Sequence, residues 1–162
     1  MTYHRHIDYR NEESDTYVYH PINSFHLLKR SSSWIPRLKK WLPKKILKKY
    51  DLTLLSSEYV RACCSLANIQ EYHDIDVNEM AEGMIINMQN GRKFWSKSEL
   101  TSSDLYNIGK EARKLGYFSG AVKWLKVALQ KAKIENKPKY YQNRIRFVHL
   151  NHTLIVHGFI KV

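Results

Sequence analysis

Metal chemistry in this chain would have to come from histidines and acidic residues near its start. His6-Ile7-Asp8 spells the H-x-D pair of an iron facial triad, but such a triad needs a rigid strand and a distal histidine. A zinc site needs ligands at suitable spacing, usually with cysteines among them. The N-terminal histidines lack both features; they are His4, His6, His20 and His26. We therefore predict no metal site in this chain.

Nucleophilic chemistry has little more support. Cys63 and Cys64 are adjacent in the sequence, and neighbouring cysteines rarely bridge each other. Their simplest interpretation is that of small core residues on a helix. No Walker loop, GxSxG nucleophile elbow or dinucleotide fingerprint occurs. We predict no catalytic residue.

The charge balance favours acidic partners. The 162 residues include 27 Lys+Arg and 15 Asp+Glu, which gives a formal net charge of +12. Such a charge can attract acidic protein or anionic lipid, although it can also simply solvate helix faces; nucleic acid is not an expected partner. No apolar run approaches the roughly 18 residues of a membrane span. The start, MTYHRHIDYR, has no apolar stretch and is not a secretory signal as written.

The turn residues favour an all-α fold. The chain has six glycines and four prolines, with no proline between Pro43 and Pro138, and an all-β fold needs frequent turn residues. Residues 1–19 are aperiodic and read as a loose leader. A helix is predicted to start at Pro21 and to be broken by the serines at 31–33.

A basic amphipathic segment covers residues 34–50. We expect Pro36 to start it and Pro43 to kink or split it. One interpretation is a cationic helix that lies on an anionic membrane or grips phosphates. The simpler one, which we favour, is a support helix with Trp34 and Trp41 buried and the lysines in water.

The middle of the chain predicts further helices. Ser56 or Ser57 can cap one, and a short helix over residues 76–83 should end at Gly83. Residues 84–98 are expected to be irregular, with a turn at Asn90-Gly91.

The strongest pattern is a helical hairpin after residue 100. The capping cluster at 101–104 starts a helix that ends at Gly116, and residues 118–133 form the second helix. Gly109 and Ala121 would let the two backbones approach closely, as in tetratricopeptide-type repeats. A further helix over 141–157 lacks its following partner, so about one and a half repeats are present and the chain looks cut in mid-repeat.

Three segments in order resemble one family, the prolyl 4-hydroxylase α subunits that modify collagen. HPINSFHLLKR at 20–30 is similar to the family stretch HPxNxFxLxKR. Residues 59–83 resemble the next segment, and LTSSDLYNIGK at 100–110 is similar to LTxxDCYxIGxxA, which begins the peptide-substrate-binding domain. WLKVAL at 124–129 follows where that domain reads WMxxAL.

The resemblance implies a non-catalytic region of a procollagen-proline 4-dioxygenase α subunit in the endoplasmic reticulum lumen. Residues 20–98 would support assembly, including self-association or assembly with a second subunit, and residues 99–162 would bind proline-rich peptide. Iron, 2-oxoglutarate and ascorbate would belong to a separate catalytic domain.

The resemblance also points to binding residues, and several depart from the family's tyrosines. The implied peptide-binding residues are Tyr106, Arg113, Tyr117, Phe118, His149 and His152. Arg113, with Lys110, Lys114 and Lys123 nearby, favours a peptide carrying carboxylates over a proline-rich one. The alternative function is a basic helical adaptor that contacts anionic partners or a membrane surface.

Overall fold

The computed structural model describes residues 19–49, 54–86 and 91–156. The elements in these ranges are α1 Pro21–Trp41, α2 Lys44–Lys49, α3 Leu54–His73, α4 Val77–Ala81, β1 Met84–Ile86, β2 Lys93–Trp95, α5 Ser102–Lys114, α6 Phe118–Ile134 and α7 Lys139–Val156. The all-α fold class is thereby confirmed, with one small hairpin of two strands added. Residues 1–18 of the predicted leader and the predicted turn residue Asn90 lie outside the described residues.

Helix α1 confirms the start at Pro21 but not the predicted break. His20 caps the helix, since its Nδ1 accepts a hydrogen bond from the backbone N–H of Ile22 at 3.2 Å. The helix then runs through the serines at 31–33 and through Pro36, so the predicted break and restart are wrong. Ser32 and Ser33 donate their hydroxyls to the carbonyls of Lys29 and Arg30, both at 2.8 Å. Bonds of this kind keep serine within a helix.

Other helix boundaries were predicted with mixed success. Pro43 does separate α1 from α2. Ser56 and Ser57 do not cap α3, because that helix already begins at Leu54 and contains both. Asp76 caps α4 through its side chain, and Gly83 ends the segment with φ of 100°, where a side chain would be strained.

The stretch expected to be irregular contains an antiparallel hairpin of β1 and β2. Met84 pairs with Trp95 and Ile86 with Lys93. Met84 and Ile85 are buried, so apolar burial stabilises strands that are too short to show a period of two. The hairpin also holds the start of α1, where the rings of His20 and Phe94 meet edge to face at 4.6 Å.

Helices α5 and α6 form an antiparallel pair. Thr101 and Asp104 make a reciprocal capping box at the start of α5, and Gly116, at φ of 86°, makes the turn between the helices. At Gly109 an added Cβ would lie 3.1 Å from atoms of Trp124 and Leu125. A larger residue would make these neighbours shift, so the small residue favours this close approach, as the sequence predicted.

One core connects the first part of α1 with α3 to α7 and the β1–β2 hairpin. Helix α3 packs between α1 and α5, and α7 packs on α6. Lys29 on α1 pairs with the fully buried carboxylate of Asp104, with N–O distances of 2.6 and 2.8 Å. Asn107 on α5 donates to the Tyr59 hydroxyl on α3 at 3.1 Å. These contacts cross the predicted boundary at 98/99, which remains a prediction.

The basic segment at residues 34–50 is not the support helix with buried tryptophans that we favoured from the sequence. Trp34 and Trp41 are not buried, because 42% and 86% of their surfaces are exposed. The described side chains of α1 beyond Ser31 are exposed or half-buried, and none of them belongs to the buried core.

Candidate functional site

An open groove lies between the end of α5 and the middle of α7, with a volume of about 470 Å³. The residues that line it are Lys110, Arg113, Lys114, Gly116, Phe118, Val148 and His152. Three of the six predicted binding residues therefore meet here: Arg113, Phe118 and His152. The buried hairpin of α5 and α6 sets one wall, and α7, held on α6 by the buried Ile145, sets the other.

The groove is strongly basic on its α5 side. Lys110, Arg113 and Lys114 follow each other at spacings of three and four residues, which places them on one face of the helix. Lys114 is also paired with Glu111 at 2.8 Å, so Lys110 and Arg113 supply most of the uncompensated charge. Lys123, expected nearby, instead pairs with Asp74 at 3.3 Å on another face of the molecule.

His152 is the most unusual group in the groove. Only 1% of its surface is exposed, and neither ring nitrogen has a hydrogen-bond partner among the described residues. Burial, followed by the positive charge of Arg113 and by His149, lowers the pKa of His152 to about 4. The imidazole is therefore neutral at pH 7 and has one donor and one acceptor to offer.

His149 lies one turn earlier on α7 and faces α6. It is half-buried and is not part of the groove wall. Burial and the positive charge of Lys126 lower the pKa of His149. The structure thus separates the two predicted histidines, and only His152 reaches the groove.

The two predicted tyrosines lie outside the groove wall. Tyr106 is buried, and its ring lies 5.7 Å from the Lys110 ammonium and 5.6 Å from the Arg144 guanidinium. This cation–π stack joins α5 to α7. Tyr117 faces α3, where partial desolvation and a hydrogen bond with Tyr72 raise its pKa.

Sequence reasoning did not single out Arg144 or Val148. Both lie on α7 at a spacing of four residues from each other, and Val148 is four residues before His152. The four-residue spacing of Val148 and His152, the two α7 residues in the groove wall, could have located this wall once His152 was chosen as a binding residue.

The cysteines and histidines elsewhere have structural positions. Burial raises the pKa of Cys63 to about 12, and burial followed by the charge of Glu111 raises that of Cys64. Both thiols are thus protonated at neutral pH, which disfavours nucleophilic chemistry. In the described ranges, no three His, Cys, Asp or Glu side chains come together as metal ligands would. His4, His6 and Asp8 lie outside those ranges.

Comparison with known proteins identifies the first half of the chain. A family model described as the prolyl 4-hydroxylase alpha-subunit, N-terminal region, matches residues 2–87. The chain belongs to this family. No curated protein and no solved structure matches it.

The prolyl 4-hydroxylase alpha-subunit match ends before the groove begins. It covers α1 to the end of β1, whereas every residue lining the groove comes from α5, the turn after it, α6 or α7. The family region is nevertheless tied to the groove-bearing helices through Lys29–Asp104 and Tyr59–Asn107. Over the residues described, none of the helices is long and apolar enough to cross a bilayer.

Proposed function

We propose that this chain is a non-catalytic, peptide-binding region of a prolyl 4-hydroxylase alpha-subunit-type protein in the endoplasmic reticulum lumen. Helices α5, α6 and α7 act as a tetratricopeptide-type unit, and the groove between α5 and α7 receives an extended peptide. The chain contributes recognition only, while iron, 2-oxoglutarate and ascorbate belong to a different domain. Family membership supports the first part of this proposal, and the groove supports the second.

The single observation that carries peptide recognition is the exposed Arg113 in the groove wall beside the buried, neutral His152. The exposed guanidinium can bind a peptide carboxylate through charge-assisted hydrogen bonds. Phe118 adds an aromatic surface at the same place. The preferred ligand is an acidic peptide.

Proline-rich peptide is the weaker candidate ligand for this groove. Flat exposed aromatic rings are what a polyproline helix packs on. Tyr106 is covered by two cations, and Tyr117 faces α3, which leaves Phe118 as the aromatic residue of the groove wall. Loss of aromatic contacts worth about 1 kcal/mol each weakens binding several-fold per ring.

The test is a parallel titration of dye-labelled acidic peptide and poly-proline, followed by fluorescence anisotropy. We expect tighter binding of the acidic peptide, weakened by salt. Arg113→Gln should reduce its affinity by about tenfold, the loss of one charge-assisted hydrogen bond. Arg146→Gln removes the same charge from an exposed position on α7 outside the groove and should have little effect.

A second pair of variants examines the aromatic wall. Phe118→Ala should weaken both peptides, whereas Phe147→Ala, which truncates an exposed ring on α7, should leave both unchanged. Tight poly-proline binding that is indifferent to salt and to Phe118→Ala would disprove the acidic preference. Equal losses for Arg113→Gln and Arg146→Gln would disprove the groove as the binding site.

A further inference from the structure

The second surface of interest is the basic arm, which we define as residues 31–49 with the distal half of α1 and all of α2. Nearly all of its described side chains are exposed; Ser32 and Leu42 are half-buried. The arm is thus a structured helical segment outside the core. The groove does not involve it.

One face of the arm is apolar. Trp34, Leu38 and Trp41 are spaced by four and three residues, which places them on the same side of the helix. Their exposed fractions are 42%, 43% and 86%, and Ile46 on α2 adds another exposed apolar side chain. Two large tryptophans in this position are costly in water unless another surface covers them.

This apolar face is not a continuation of the face that α1 packs against α3. Ile22, Phe25 and Leu28 belong to or pack against the core. Trp34 lies six residues beyond Leu28, which at about 100° per residue is a rotation of about 240°. The tryptophans therefore point away from the side on which α1 meets the rest of the molecule.

The other faces of the arm are cationic. From residue 20 to residue 50 the chain has nine Lys and Arg residues and no Asp or Glu. Lys39 and Lys40 lie on the sides and back of the helix relative to Trp34, while Arg37 flanks the apolar face with its guanidinium 6.0 Å from the Trp34 ring. Exposed tryptophan and leucine on one side with lysine and arginine around them is typical of helices that lie in a membrane interface.

The charge decides between the surfaces that could cover the arm. Pairing with the arm of a second copy would bring two segments together that each have seven of these cations, at residues 31–49, and no acidic residue, and like charges repel. A leaflet with anionic lipid offers both an apolar layer for the tryptophans and negative headgroups for the cations. A nucleic acid or a soluble polyanion offers negative groups for the cations but no apolar layer for the tryptophans.

We propose that the basic arm binds anionic membrane surfaces and lies in the plane of the interface. Trp34, Leu38 and Trp41 enter the boundary between headgroups and acyl chains, and the lysines and arginines contact lipid phosphates and carboxylates. Attachment of this kind to the membrane surface needs no spanning segment. This binding is independent of the peptide groove.

The full chain should be tested by co-sedimentation with vesicles of phosphatidylcholine, with and without phosphatidylserine. We expect binding to the phosphatidylserine vesicles, with a blue shift of tryptophan emission, and little binding to phosphatidylcholine alone. Lys39→Gln with Lys40→Gln should weaken partitioning about 25-fold, since each cation near an anionic leaflet contributes about fivefold. The exposed pair Lys133 and Lys139, changed to Gln together, removes equal charge outside the arm and should have little effect.

A matched pair of variants tests the apolar contribution to membrane binding. Trp41→Ser should reduce partitioning by about tenfold or more, whereas Trp95→Ser, at a ring that is 59% exposed on β2, should not. Equal losses for these two variants would overturn the proposal. So would equal binding to both vesicle types, burial of Trp41 in a lipid-free dimer, or polyglutamate binding that matches vesicle binding without a blue shift.

Discussion

The α5–α6 hairpin and the basic arm have similar apolar spacing and opposite environments. Leu105, Ile108 and Trp124 are fully buried in the hairpin, whereas Trp34 and Trp41 on the arm are exposed. In the hairpin, Gly109 allows the backbones to approach closely enough for large side chains to interdigitate. In the described part of the chain, no packing of this kind covers Trp34 and Trp41 on the arm. Periodicity therefore indicates which face of a helix is apolar, but a second element has to exist before that face becomes core.

The largest expected effect is a difference in the free energy of unfolding between a variant in the hairpin and a variant in the arm. Trp124→Ala should lower the free energy of unfolding by about 3–5 kcal/mol, because it leaves a cavity where a fully buried ring packed. Trp41→Ala should change it by no more than about 0.5 kcal/mol, as at other exposed sites. Urea unfolding of both variants measures the difference. Comparable losses would mean that the arm is part of the core after all.

Acid should lower the free energy of unfolding through the protonation of His152. Its pKa is about 4 in the folded protein and about 6.5 when unfolded, so the unfolded state binds the proton more tightly. The stability associated with neutral His152 is therefore complete above pH 6.5 and is lost as the pH falls towards 4. Between pH 6.5 and 4.5 the loss should be about 2–3 kcal/mol.

The control for that prediction is a second histidine. His152→Leu should remove this part of the pH dependence, while His73→Leu, at an exposed position on α3, should retain it. Urea unfolding at both pH values measures the effect. An unchanged slope in His152→Leu would show that other groups cause the acid sensitivity.

A smaller loss of stability is expected when the close packing of the hairpin is disturbed at Gly109. Gly109→Ala places a methyl group 3.1 Å from atoms of Trp124 and Leu125, which costs about 1–3 kcal/mol, while the gain in helix propensity returns about 1 kcal/mol. We expect a net loss of about 1 kcal/mol in thermal or urea unfolding. Ser119→Ala, at an exposed position on α6, should be neutral or slightly stabilising, and a stabilised Gly109→Ala would contradict the close packing.

Capping chemistry and strong periodicity made much of the fold predictable. Pro21, the cluster around Thr101 and Asp104, and Gly116 each mark a boundary by a local physical preference, and the structure has boundaries there. The hairpin of β1 and β2 was missed because three residues per strand are too few to show a pattern. The serines at 31–33 favour a break by composition, yet two of them donate to carbonyls of the preceding turn and remain inside α1.

The candidate site was less predictable than the helices that form it. Arg113, Phe118 and His152 do meet at one groove, because positions on α5, α6 and α7 at the right helical phase face the same space. Tyr106 on α5 packs against two cations, and Tyr117, which immediately precedes α6, faces α3. The direction in which each of these side chains faces depends on how the helices pack, and no local sequence pattern contains that information.

The ion pair between Lys29 and Asp104 anchors the middle of α1. Lys29 binds a fully buried carboxylate, and Trp41 at the end of the helix lies twelve residues further on, about 18 Å at 1.5 Å per residue. Asp104 is also the residue that caps α5. The other end of α5 forms the basic wall of the groove, so this one helix carries the anchor of α1 at its start and the proposed peptide-binding residues at its end.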